Sequence, residues 1–173
     1  MDLNLKGKNA IIVGGARGIG RAAAEILAAE GANVAFCARN KENVDEAVAS
    51  LSAKGVKVKG SALDISDADA YRAWVASMGE ALGGIDIFIC MASAGGGVLD
   101  ESGWRANFET DVLGTVRGIE AALPFLKKSG SGSIILMSST AAVENFFAPQ
   151  PYNALKAALI TYGSQLAQSL AAD

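Results

Sequence analysis

The sequence predicts a doubly wound α/β fold around a parallel sheet, on three observations. Short apolar runs alternate five times with longer helix-like stretches along the 173 residues. The runs are nearly continuous in Ile, Val, Phe and Leu rather than alternating with polar residues, as strands buried on both faces must be. A glycine cluster stands between the first run and the first helical stretch. Parallel strands joined by right-handed crossover helices satisfy all three.

The elements follow in order. Residues 9–13 read as the first strand, and the Ala-rich stretch 18–30 as a helix stopping at Gly31. Residues 33–37 form the second strand, with a helix over 41–54 ending at Gly55. A third strand over 57–61 leads through the N-cap Ser66-Asp67 into a helix over 67–82. The fourth strand, 85–91, precedes a long helix over 103–128. The fifth, 133–138, precedes a helix over 152–171, with Pro151 at its start. No internal repeat or linker interrupts these five β-α units, so one domain is expected.

Composition excludes several classes. There is no histidine, which removes the commonest general base and metal ligand and every Ser-His-Asp or Cys-His mechanism. No metal site is expected. Cys37 and Cys90 each sit inside an apolar run and read as buried reduced thiols. Lys plus Arg number 15 against 18 Asp plus Glu, a net charge of −3 without a basic run, which argues against nucleic acid as a partner. No stretch reaches the roughly 18–20 apolar residues of a membrane span, and Met1-Asp2-Leu3-Asn4-Leu5-Lys6 has no apolar signal core. A cytoplasmic protein is expected.

Gly14-Gly15-Ala16-Arg17-Gly18-Ile19-Gly20 follows the first strand directly. Glycines at a sharp strand-to-helix turn let the backbone approach a pyrophosphate, and the helix N-terminus offers unpaired N–H groups and a partial positive charge. The second strand ends at Cys37-Ala38-Arg39, where an NAD-preferring fold of this Rossmann-like kind carries an acidic residue for the ribose 2′-hydroxyl. Arg39, with Arg17 in the loop, instead suits a 2′-phosphate. NADP(H) is the cofactor read from this pair; two solvated arginines are the plainer reading. Two readings also stand for Asp64: an acceptor for the adenine amino group, or a cap on the turn into the next helix.

Tyr152-Asn153-Ala154-Leu155-Lys156 sets a phenol and an ammonium at i and i+4 on one helical face. Ser139 lies 13 residues upstream, at the carboxyl end of the fifth strand, where parallel sheets meet ligands. Carbonyl reduction needs a proton donor as hydride arrives, and a phenol is a weak acid at neutral pH. A cation about 4 Å away supplies roughly 4 kcal/mol toward the phenolate at an effective dielectric near 20. Packing of Tyr152 and solvation of Lys156 remain the alternative.

Taken together these residues resemble the short-chain dehydrogenase/reductase family, with its T-G-x-x-x-G-I-G, N-N-A-G, Ser and Y-x-x-x-K motifs in order over essentially the whole chain. The resemblance implies that Gly14, Gly18, Ile19 and Gly20 form the cofactor loop, with Val13 in place of threonine. Ser139, Tyr152 and Lys156 become the catalytic set, Tyr152 and Lys156 also touching cofactor. It also implies a homodimer or homotetramer.

Three departures qualify it. Cys90-Met91-Ala92-Ser93 replaces N-N-A-G, leaving Ala92 as the match on the cofactor wall. The family's catalytic Asn, seven residues beyond a tryptophan, maps from Trp104 onto Asp111. A carboxylate cannot donate as an amide does, so a proton relay through Lys156 is in question and Asp111 can instead pair with Lys156. Finally, family members of this kind run about eighty residues further. A missing C-terminal part is therefore expected, since the strand at Ile134-Ile135-Leu136-Met137 would otherwise be an uncovered sheet edge.

Phe146 and Phe147, before Tyr152, and Gly95-Gly96-Gly97-Val98-Leu99, after the fourth strand, suggest an apolar substrate; core or interface packing explains the phenylalanines equally. The expected activity is NADPH-dependent, reversible reduction of a small carbonyl compound. The rivals are an NAD-dependent alcohol dehydrogenase of the same fold and a non-catalytic NADP(H)-binding sensor or subunit.

Overall fold

The computed structural model describes residues 3–95, 97–144 and 149–171. Its five strands are β1 (Asn9–Val13), β2 (Asn33–Ala38), β3 (Val58–Ala62), β4 (Ile87–Cys90) and β5 (Ser133–Leu136). All pair in parallel, in the order β3-β2-β1-β4-β5. Helices α1 (Gly18–Ala29), α2 (Lys41–Ser52), α3 (Ala68–Leu82), α4 (Glu101–Asn107), α5 (Gly114–Ser129) and α6 (Gln150–Ser169) connect or follow them.

The continuous apolar runs are explained by burial on both faces. Ile12, Val34 and Phe36 pack with Ala24, Ala28, Val44, Ala47 and Leu51 of α1 and α2. On the other face Ile11, Val13, Cys37, Phe88 and Cys90 pack against Tyr71, Trp74 and Val75 of α3 and Ile119, Ala122 and Leu126 of α5. In register, Val13 stands between Cys37 and Cys90. Both cysteines are buried free thiols, as expected from their apolar surroundings.

At the amino ends of β1 and β4, Asp86 joins three segments. It accepts the Asn9 N–H at 2.8 Å and the Ser129 hydroxyl at 2.6 Å, and pairs with Lys8. Burial pushes its carboxyl up, but the Ser129 hydroxyl, the Asn9 N–H and the Lys8 charge outweigh this and hold it below the usual carboxylate range.

Several boundaries differ from the expectation; β4, for one, begins at Ile87 and not at residue 85. The fourth and fifth strands end at Cys90 and Leu136, because Met91 and Met137 make one last ladder bond, to Val13 O at 2.9 Å and Cys90 O at 3.2 Å, and then turn away. The last helix begins at Gln150, with Pro151 inside its first turn. The single helix expected over 103–128 starts at Glu101 and is divided by a π-helical segment, Phe108–Leu113. Asp100 caps it, accepting the N–H groups of Ser102 and Gly103. Such a widened turn shifts hydrogen bonding from i−4 to i−5 and is frequent at functional sites; here the Thr115 hydroxyl donates to Asp111 O at 2.6 Å.

Among the described residues β5 is an edge strand, with Ile135 44% exposed. No described helix is long and apolar enough to cross a membrane.

Candidate active site

The strand order reverses at β1, and a crevice opens there at the carboxyl edge, as expected for doubly wound sheets. It encloses about 820 Å³ and runs from Arg39 and Asp64, beyond β2 and β3, past the glycine turn to Met91, Ala92, Ser93, Thr110 and Met137. Every predicted cofactor residue outside α6 lines it: Gly14, Arg17, Gly18, Ile19, Gly20, Arg39, Asp64 and Ala92.

The turn after β1 needs its glycines. Gly14 has φ +87, and a Cβ there would stand 3.1 Å from Ala92 N. A Cβ on Gly20 would stand 2.2 Å from Gly14 O. The N–H groups of Gly14 and Gly15 both point to Cys37 O, at 2.9 and 3.2 Å, which fixes the turn against the end of β2. Helix α1 then starts from extended Arg17 without a side-chain cap. Its first N–H groups are left for an anion.

Among the described residues neither Arg17 nor Arg39 is in an ion pair, and both are exposed. Asp64 does cap its turn: Oδ1 accepts the Ser66 N–H at 3.0 Å and the Ser66 hydroxyl at 2.9 Å. These two donors, with the Arg39 charge, hold its carboxyl below the usual carboxylate range against slight burial. Asn40 and Asn43 also line the crevice and were missed. Asn40 was findable as a helix cap, its side chain accepting the Asn43 N–H at 2.8 Å.

The four catalytic candidates lie beyond the Met137 end, on elements distant in sequence. Ser139 follows β5 and caps a 3₁₀ turn, Thr140–Ala142, accepting the Ala141 N–H at 3.2 Å. Tyr152 is half-buried in the first turn of α6. Lys156 Nζ lies 5.6 Å from the centre of the Tyr152 ring, so the i, i+4 pair does meet. Lys156 is only 2% exposed: its ammonium donates to Met137 O at 2.9 Å and pairs with Asp111 Oδ1 at 3.0 Å, off hydrogen-bond alignment. The Ser138 hydroxyl holds the Lys156 carbonyl at 2.9 Å. Asp111 is 1% exposed, and its Oδ2 accepts the Ala94 N–H at 3.0 Å.

The two thiols behind this site are quiet. Burial pushes Cys37 up to about 12. It also raises Cys90, against the opposing hydrogen bond from the Thr115 hydroxyl. Phe146, Phe147 and Gly96 lie outside the described residues; Val98 and Leu99 are exposed.

A parallel sheet in the order β3-β2-β1-β4-β5 with a glycine turn into an uncapped helix defines the dinucleotide-binding class of fold. The comparisons agree. The family profile described as short chain dehydrogenase matches residues 8–173, and the chain belongs to that family. An isoepoxydon dehydrogenase of Penicillium expansum is 36% identical over 98% of this chain and 67% of its own length. Dehydrogenase/reductase SDR family member 4 of Bos taurus is 36% identical over 96% of this chain and 62% of its own.

Among solved structures, the L-sorbose reductase of Gluconobacter frateurii, complexed with NADPH and L-sorbose, superposes with TM-score 0.92 at 34% identity. It matches over 98% of this chain and 66% of that one. An NAD⁺-bound xylitol dehydrogenase superposes with TM-score 0.92 at 25% identity, over 97% of this chain and 66% of that one. The chain thus spans about two thirds of the length of these proteins.

Proposed function

We propose that this chain carries the NADP(H)-binding and catalytic half-site of a carbonyl reductase that also runs as an alcohol dehydrogenase, on a small and apolar substrate. The observation that carries the reading is the approach of Lys156 Nζ to the Tyr152 ring while it donates to the carbonyl of Met137, a residue that lines the glycine-turn crevice.

The residues fit a nicotinamide dinucleotide. Gly14 and Gly20 let the main chain of the turn pack closely on itself, and the position a Cβ would take at Gly18 is open on the crevice, the kind of space close pyrophosphate contact requires. Uncapped N–H groups at the start of α1 supply anion donors. Arg17 and Arg39, with Asn40 and Asn43 beside them, supply cations and amides where a 2′-phosphate would lie. Asp64 keeps a second carboxylate oxygen for the adenine amino group.

When bound, the dihydronicotinamide supplies the hydride. The Tyr152 hydroxyl gives its proton to the carbonyl oxygen of the substrate. The Lys156 ammonium faces the Tyr152 ring at 5.6 Å from its centre, with its charge offset by the Asp111 carboxylate 3.0 Å away. The Ser139 hydroxyl, its proton uncommitted among the described residues, holds the same carbonyl oxygen. A homodimer or homotetramer is part of this proposal; the exposed apolar residues Trp104, Phe108 and Ile160 of α4, the π segment and α6 support it.

Tyr152→Phe tests the chemistry: turnover of carbonyl substrates with NADPH is expected to fall at least about a hundredfold while NADPH affinity stays. Most activity surviving in that variant refutes the mechanism. Arg39→Ala tests the cofactor, with NADPH affinity expected to fall and NADH affinity to stay. Equal losses would favour the NAD-dependent reading. The burial of the Lys156 ammonium favours the non-catalytic reading, which tight NADPH binding without hydride transfer across a carbonyl panel would support.

A further inference from the structure

Both oxygens of the Asp111 carboxylate face donors. Oδ2 accepts the Ala94 N–H at 3.0 Å, and Oδ1 lies 3.0 Å from Lys156 Nζ. An amide carries one acceptor oxygen and one NH₂ group, so an asparagine here must turn N–H bonds toward either the Ala94 N–H or the ammonium. The carboxylate is therefore the side chain that these neighbours demand. It is presented by the π-widened turn Phe108–Leu113, whose opened hydrogen bonding is repaired by Thr115. The contacts join the segment after β4 and the π segment, both of which line the crevice, to α6.

We propose that Asp111 is a positioning residue: its negative charge holds Lys156 against Met137 O beside Tyr152, ties the Ala94 segment to α6, and cancels the lysine charge at this end of the crevice. The inference rests on the crevice being a nicotinamide dinucleotide site. The oxidised nicotinamide ring is a cation and the reduced ring is neutral. A neutral Asp111-Lys156 pair accepts that cation better than a lone ammonium does, because like charges in a partly buried site repel strongly. Asp111 thus shifts the balance of affinity toward the oxidised cofactor.

Two measurements test this. Without cofactor, unfolding equilibria are compared for the unaltered protein, Asp111→Asn, Lys156→Met and the double variant. Each single change leaves a buried charge alone and is expected to lower the folding constant by about a hundredfold or more. The double variant is expected to recover at least about tenfold of the summed loss. Additive losses overturn the pairing. Should a single variant not fold, hydrogen exchange of the Ala94 amide in the unaltered protein decides instead. Protection of at least about tenfold supports the clamp, and exchange at the open-chain rate overturns it.

With cofactor, the ratio of dissociation constants for NADP⁺ and NADPH is expected to rise at least about threefold in Asp111→Asn. A purely structural role would weaken both forms alike, so an unchanged ratio overturns the proposal. If the unaltered protein binds neither form, the reading of the crevice fails, while the unfolding cycle still decides the pairing.

Discussion

Replacing Gly20 by alanine sets two local rules against each other. Gly20 is the third residue of α1. Alanine is favoured over glycine inside a helix by about 1 kcal/mol, so propensity alone predicts a more stable protein. The structure predicts the opposite. A Cβ at this position falls 2.2 Å from Gly14 O and 3.0 Å from Gly14 C. Ordinary C···O contacts lie at about 3.3 Å, so roughly 1 Å of movement is required. The obstacle is backbone, pinned by the Gly14 N–H bond to Cys37 O at 2.9 Å, and cannot rotate aside.

Overpacking of this kind costs about 1–3 kcal/mol, and a backbone obstacle places it at the upper end. After the helix gain, Gly20→Ala is expected to destabilise by about 2 kcal/mol, a fall in Tm of roughly 4–8 °C for a chain this long. Urea and thermal unfolding followed by circular dichroism read both values. Gly18 is the internal contrast: its φ is +55 and nothing lies within 4 Å of its Cβ position. Gly18→Asn should therefore be nearly neutral, since Asn tolerates left-handed backbone, whereas Gly20→Asn should be worse than Gly20→Ala. A Gly20→Ala protein as stable as the original refutes the reasoning.

Three further outcomes follow from buried groups. The Tyr71 hydroxyl is buried and has no hydrogen-bond partner among the described residues. Tyr71→Phe should be neutral or stabilise by about 1 kcal/mol, read from the urea midpoint, and a loss above that would mean the hydroxyl is bonded. With its thiol pushed to about 12 by burial, Cys37 should react with a disulfide reagent at pH 8 no faster than the protein unfolds. Faster labelling under native conditions contradicts the burial. Asp86 has its carboxyl held below the usual range, so its contribution is complete above about pH 4 and is lost as pH falls through the folded value. The stability gap between the original protein and Asp86→Asn should accordingly narrow below about pH 4; a gap that widens there contradicts the assigned direction.

How much could be read from the residues differs between the two halves of the site. The glycine turn was legible because its information is local: positive φ at Gly14 and Gly18, and a helix start without a cap, are written within one short window. Strand centres were legible for a similar reason, since burial on both faces leaves an unbroken apolar run. Their ends were not. Met91 and Met137 are as apolar as the strands they follow, yet they line the crevice, and composition does not separate a sheet interior from a cleft wall. The π segment was invisible because one extra residue in a turn barely disturbs a 3.6-residue period. Asp100 before Glu101 was a readable helix start, passed over for Gly103.

The cluster around Lys156 depends on Ala94, Asp111 and Met137, which meet it only when the chain is folded. Sequence spacing located Asp111, read it as a missing amide donor and left open a pairing with Lys156, which is the contact found. In the folded protein two donors already face that side chain, so the shortage lies in acceptors. Whether a departure from a motif is a defect is decided by what faces the residue. The segment Cys90-Met91-Ala92-Ser93 also departs from the family motif, and it runs directly into the Ala94 N–H that takes the second carboxylate oxygen. That donor is main chain, so the carboxylate at 111 answers the path of the segment and not its side chains. Asp111→Asn, which brings the motif nearer to the family pattern, should then damage this protein, and Lys156→Met together with it should recover part of the loss.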